Sequence, residues 1–155
     1  MIHIRPAVSA DEEYLYQLYC STRKSEIEAF CWDEDQERAF LSMQWAAQTR
    51  SYAAQFPLAE HSIVMYGETK AGRTIVDRGE QAFVLVDISL LPDFQNRGIG
   101  TLLLRELQIE SCSCSKRLCL SVLSASRAVR LYERLGFRTA VDDGYRIAME
   151  WAGAV

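Results

Sequence analysis

Histidine occurs twice in this 155-residue chain, proline three times and glycine eight times. No apolar run approaches the ~20 residues that span a bilayer. The polar start, MIHIRPAVSADEEY, lacks the basic and then apolar layout of a secretory signal. These absences imply a soluble, cytoplasmic protein that makes no use of a membrane. The five cysteines, Cys20, Cys31, Cys112, Cys114 and Cys119, cannot all pair, and none forms a CxxC knuckle with histidines at zinc-finger spacing. They read as reduced thiols with no metal, Cys112 and Cys114 as small residues near a helix end. His3 and His61 fall in strand edges and carry no catalytic reading. A broad basic face of the kind nucleic acids require is also missing, since the net charge is -4. What charge there is divides unevenly: residues 1–94 hold 15 acids and 8 bases, residues 95–138 hold 8 bases and 3 acids. A locally positive segment in an acidic chain suits a small anionic ligand, although any one arginine also reads as helix surface.

Hydrophobic residues make up 49% of the chain, enough for one domain over residues 1–155 to bury a core without metals or disulfides. IHIRPAV alternates like an edge strand, and Ser9 with Glu12 makes a capping box for a helix beginning near Asp11. Asp33 with Gln36 signals a second helix, whose apolar residues Phe40, Leu41, Met43 and Ala47 recur at helical spacing to about Arg50. The acidic, aromatic stretch SEIEAFCWDED connects the two helices. SIVMYG and RTIVDRG are β-branched runs joined by ETKAG, a hairpin signal, and QAFVLVDISLL is a longer strand that stops at Pro92. A helix over 98–111, a strand at RLCLSVL, a helix over 126–134 and strands at FRTAV and GYRIAMEW complete the order βααβββαβαββ. That is an α/β or α+β fold with a mixed sheet of about seven strands and about four helices.

The stretch LLPDFQNRGIGTLLLREL places Gly98 and Gly100 where a strand gives way to a helix. The first amides of a helix have no helical acceptor and carry the positive end of its dipole, and glycines let an anion come close to them. A P-loop would need lysine before Thr101, where Gly100 stands, and a dinucleotide fingerprint would need a third glycine at Leu103. The surviving pattern is Q/R-x-x-G-x-G/A, filled by Gln95, Asn96, Arg97, Gly98, Ile99 and Gly100.

With this pattern, with RLYERLGF at residues 130–137 and with its order of elements, the chain resembles the Gcn5-related N-acetyltransferase (GNAT) family. The resemblance implies that the loop from Gln95 to Thr101 holds the pyrophosphate of acetyl coenzyme A. It implies that the strands of Leu90 and of Leu120 and Val122 splay apart, and that backbone groups of Leu90 and Leu91 bind the pantetheine arm. Tyr132 matches the family tyrosine that protonates the departing thiolate. The glutamate that some members use as a base would align near Val84, which cannot serve. Asp87 is the nearest acid on that strand and reads as a base or as a group that orients the amine. Ser126 stands where many relatives have an asparagine that contacts the arm, and serine also suits a helix N-cap. A homodimer through the C-terminal strands is a further implication.

Acceptor choice in the resembled fold resides in the N-terminal helices and the last strands. Residues 11–37 hold 9 acids and 2 bases, and Tyr19, Glu26, Trp32, Asp87 and Tyr145 are the candidate acceptor contacts. Such a rim suits a cationic small-molecule or peptide amine, through Coulomb attraction and cation–π contact. The expected activity is direct transfer of an acetyl group to a primary amine in a ternary complex. The competing expectation is a non-catalytic acyl-CoA-binding regulatory module.

Overall fold

A computed structural model describes residues 1–153. The strands are β1 (Ile2–Pro6), β2 (Glu60–Tyr66), β3 (Thr69–Arg78), β4 (Ala82–Leu90), β5 (Arg117–Leu123), β6 (Arg138–Asp142) and β7 (Arg146–Trp151). The helices are α1 (Glu12–Glu28), α2 (Glu34–Gln55), α3 (Ile99–Ser113) and α4 (Ala128–Arg134). This reproduces the expected order. One seven-stranded mixed sheet runs β1-β2-β3-β4-β5-β7-β6, with β4 and β5 parallel and the pairs at β1–β2, β5–β7 and β6–β7 antiparallel. The ladder between β4 and β5 ends at Leu85 and Leu120, although both strands run on. No helix among the described residues is long and apolar enough to cross a membrane.

By their contacts the residues fall into two compact units. The first comprises residues 1–74 and 88–94. Its helix α2 begins as the sequence predicts: the Asp33 carboxylate accepts from the Gln36 N–H at 2.8 Å, and the Gln36 side chain accepts from the Asp33 N–H at 3.1 Å. Tyr19, Ile27 and Leu41 are buried where α1 meets α2, with Tyr16, Trp32, Phe40 and Trp45 packed around them. Four expectations are corrected. Ser9 does not cap α1; a 3-10 turn, Ser9–Asp11, comes first, and Asp11 rather than Ser9 bonds back along the chain. Helix α1 continues to Glu28, so all of SEIE is helical, and α2 extends to Gln55 rather than Arg50. The β2–β3 turn is Gly67 and Glu68 alone, which puts Thr69 to Gly72 inside β3.

Asp11 is 1% exposed and collects four hydrogen bonds. Arg5 grips both carboxylate oxygens at 2.9 Å, Lys70 approaches to 2.8 Å and the Val8 N–H donates at 2.9 Å. These partners, Arg5 first, hold its carboxyl far below the usual range. The stabilisation is therefore complete above about pH 4, where the unfolded carboxyl is also ionised, and is lost as pH falls toward the lowered folded value. Asp11→Ala leaves two cations and an amide without their acceptor. With both cations one-third exposed, the cost is about 2 kcal/mol, a fall in melting temperature of roughly 4–8 °C by calorimetry.

The second unit comprises residues 75–87 and the chain from Gln95 onward. Helix α3 buries Ile99, Leu103, Leu104 and Leu107, an i, i+4, i+5, i+8 stripe, while Gln108 uses its buried amide to donate to the Leu135 carbonyl at 2.8 Å. Arg78 at the end of β3 forms a two-pronged pair with Glu110 of α3, and Lys116 donates to the Gly79 carbonyl at 2.9 Å. Strand β5 alternates, burying Leu118, Leu120 and Val122, and β6 at the sheet edge is exposed throughout.

Candidate active site

The glycine loop sits between a 3-10 turn at Pro92–Phe94 and the first turn of α3. Gln95, Asn96, Arg97 and Gly98 are all exposed. Asn96 and Gly98 take left-handed backbone conformations, φ 60° and 81°, which the chain needs in order to turn into the helix. Asparagine tolerates that region and glycine enters it without steric cost. Gly98 is the N-cap and offers no side chain to the helix amides; the first helical bond runs from the Leu102 N–H to the Gly98 carbonyl at 3.0 Å. The N–H groups of Ile99, Gly100 and Thr101 precede that bond and have no helical acceptor. A Cβ built on Gly100 would meet nothing closer than Leu131 Cδ2 at 3.9 Å, so a side chain from elsewhere in the fold does not crowd this position.

Leu131 also lines a cavity of about 580 Å³ with Ala125, Ser126, Arg127, Arg130 and Arg134. Three arginines line this concavity, and individually they were not picked out from the sequence. Their spacing, 127, 130 and 134, is the signal that places them on one helix face. Ser126 does help begin α4, but through its Oγ accepting from the Ala128 N–H at 3.1 Å.

Tyr132 lies one residue beyond Leu131 and is 7% exposed, its ring edge-on to Phe137 at 5.7 Å. Burial first, and then the negative charge of Asp87, pushes its phenol up to about 12. The fold thus brings the two expected catalytic residues within electrostatic reach of each other. Leu91, by contrast, is committed within the chain: its N–H donates to the Ala71 carbonyl at 2.8 Å and its carbonyl accepts from the Phe94 N–H at 2.9 Å. The second lone pair of that carbonyl is what it can still offer a ligand.

The acceptor candidates divide between the units. In the first, Tyr19 is buried against Trp45, and its hydroxyl accepts from Arg23 at 2.9 Å, which makes it part of the helix packing. Glu26 is exposed and pairs with the same Arg23 at 3.0 Å. Trp32 is half-buried between Phe40 and Phe30, and stacks on Phe30 at 4.9 Å with only 18° between the rings. Phe30 is 56% exposed and was missed in the sequence, where nothing distinguished it from a core aromatic. In the second unit Tyr145 is 67% exposed, and its N–H is held by the Asp143 carboxylate at 2.8 Å.

The model of the acetyltransferase (GNAT) domain matches residues 57–139. No curated protein matches the sequence. Among solved structures, the PaiA N-acetyltransferase from Thermoplasma acidophilum in complex with coenzyme A is 20% identical, with 99% of each chain covered and a TM-score of 0.72. The ribosomal-protein-S18-alanine N-acetyltransferase from Escherichia coli is 23% identical, covering 100% of this chain and 96% of that one, with a TM-score of 0.66. A GNAT family acetyltransferase from Elizabethkingia anophelis with acetyl-CoA bound is 15% identical, with 98% of each chain covered and a TM-score of 0.61. These likenesses show a common fold, and the domain match covers more than half of the sequence. The chain belongs to the GNAT acetyltransferase family.

Proposed function

We propose that the protein transfers an acetyl group from acetyl coenzyme A to a primary amine of a small molecule or peptide, by direct attack in a ternary complex. The observation that carries this reading is the start of α3, where a left-handed Gly98 presents the amides of Ile99, Gly100 and Thr101 with no side chain over them. That arrangement fits a pyrophosphate, and the neighbouring wall of Arg127, Arg130 and Arg134 fits further phosphate charge. Gln95 and Arg97 belong to the same loop. Backbone groups of Leu90 and the Leu91 carbonyl are assigned to the pantetheine arm.

Acetyl coenzyme A supplies an activated acyl thioester. The chain's own residues manage protons around it. Tyr132, kept protonated by burial and by Asp87, donates to the sulfur as it departs. Asp87 accepts from or orients the incoming amine, which must lose a proton held with a pKa of about 10.4 before it can attack. The Phe30–Trp32 stack and Glu26, all in the first unit, are assigned to a cationic acceptor.

The test is thiol release from acetyl coenzyme A across a panel of polyamines, aminoglycosides and peptide amino termini. Amine-dependent release supports the transferase. Coenzyme A binding with no release from any amine overturns it in favour of a binding module.

A further inference from the structure

Helix α4 is seven residues long, too short to hold its own shape in water, so its place depends on what fastens it. It carries Tyr132, and its end closes back on that residue. The Tyr132 carbonyl accepts from the Leu135 N–H at 3.1 Å and from the Phe137 N–H at 3.0 Å. Between those two donors Gly136 turns the chain at φ 95°, where a Cβ would stand 3.2 Å from the Trp151 ring. Leu135 is the C-cap, and carbonyls at a helix end have no helical amide to accept from.

Its carbonyl finds a donor on another helix. The Gln108 side chain, 8% exposed, donates from Nε2 to the Leu135 oxygen at 2.8 Å. An amide is costly to bury, and the core positions beside it on α3, Leu103, Leu104 and Leu107, are apolar. Leucine or methionine would fill the same space without a polar group. What glutamine adds is direction, a bond of fixed length to one atom of α4. Helix α3 therefore presents the amides of Ile99, Gly100 and Thr101 at its first turn and grips the end of α4 from its third. From Gln108 to the backbone of Tyr132 the path is two hydrogen bonds, through Leu135.

We propose that Gln108 is a positioning residue: by holding the Leu135 carbonyl it sets α4 on α3, and so sets where the Tyr132 hydroxyl meets the departing sulfur. The proposal rests on the acetyl-transfer reading above. It assigns Gln108 no contact with cofactor or acceptor.

The experiment compares wild type with Gln108→Met, Gln108→Asn, Tyr132→Phe and the double variant that joins Gln108→Met to Tyr132→Phe. Methionine keeps length and bulk without the donor, and asparagine keeps the donor but draws it back by one methylene. Fold is followed by thermal melting, and kcat and KM for acetyl coenzyme A by thiol release with the best amine of the panel. The expected result is a folded Gln108→Met protein whose kcat falls about tenfold while its KM for acetyl coenzyme A stays within about twofold. In the Tyr132→Phe background the same substitution changes kcat by less than about twofold, because the group it positions is already gone. Gln108→Asn shows the same fall in kcat and carries the test where the methionine variant does not fold. Wild-type kcat in a folded variant overturns the proposal. A tenfold fall that persists beside Tyr132→Phe also overturns it, since loosened packing would lower both backgrounds alike. Loss of fold in both single variants assigns the bond to stability and overturns it too. Unchanged kcat in Tyr132→Phe, or wild-type protein that releases no thiol with any amine, overturns the acetyl-transfer reading itself and the proposal with it.

Discussion

Tyr132→Phe lowers kcat about 100-fold or more and leaves coenzyme A affinity within about twofold of wild type. The phenylalanine keeps the ring, its burial and its edge contact with Phe137, so the lost group is the hydroxyl alone. With its pKa pushed up to about 12, that hydroxyl stays protonated across the working range and imposes no alkaline fall in rate up to about pH 10. Linkage gives a second check. A tyrosine in the unfolded chain ionises near pH 10, so the stability tied to this group is complete below about pH 10 and is lost as pH climbs through about 12. Steady-state rates over pH 6–10 and alkaline melting of both proteins read the two effects separately. Unchanged kcat in the phenylalanine variant would confine Tyr132 to packing.

Gly100→Ala is expected to move stability and affinity in opposite directions. The second residue of α3 has room for a methyl group, with Leu131 Cδ2 at an ordinary 3.9 Å. Alanine in a helix gains roughly 0.5–1 kcal/mol over glycine, so melting temperature rises by a few degrees. The same methyl group stands over the amides assigned to the pyrophosphate, and coenzyme A affinity falls about tenfold, or 1.4 kcal/mol. Gly98 makes a poorer probe, because its φ of 81° strains any side chain whether or not a ligand is present. Raised stability with unchanged affinity would move the pyrophosphate away from this loop.

The features legible in the sequence are those written between near neighbours. The Asp33–Gln36 reciprocal cap, the alternating RLCLSVL strand and the glycine pair before α3 each depend on residues within a few positions of one another. Ser9 and Glu12 satisfied the same local rule and failed it, because Asp11 found stronger partners in Arg5 and Lys70, the latter remote in the chain. Gly72 was read as a turn residue for a related reason: its need for a bare backbone comes from Ser89, which no local pattern records. Tyr19 looked available as a surface aromatic until Trp45 and Arg23 covered it. The arginine wall escaped notice because charge counted over a segment does not say which residues share a helix face.

The Asp11 cluster bears on the order in which the chain folds. One of its cations comes from the strand just before it and the other from β3, after both long helices have been made. Until β3 arrives, an N-terminal fragment with α1 and α2 formed holds the aspartate with one of its two cations. The turn that leads into α1 is thereby tied to a lysine about 60 residues downstream, so that full pairing of an early local structure waits on completion of the sheet.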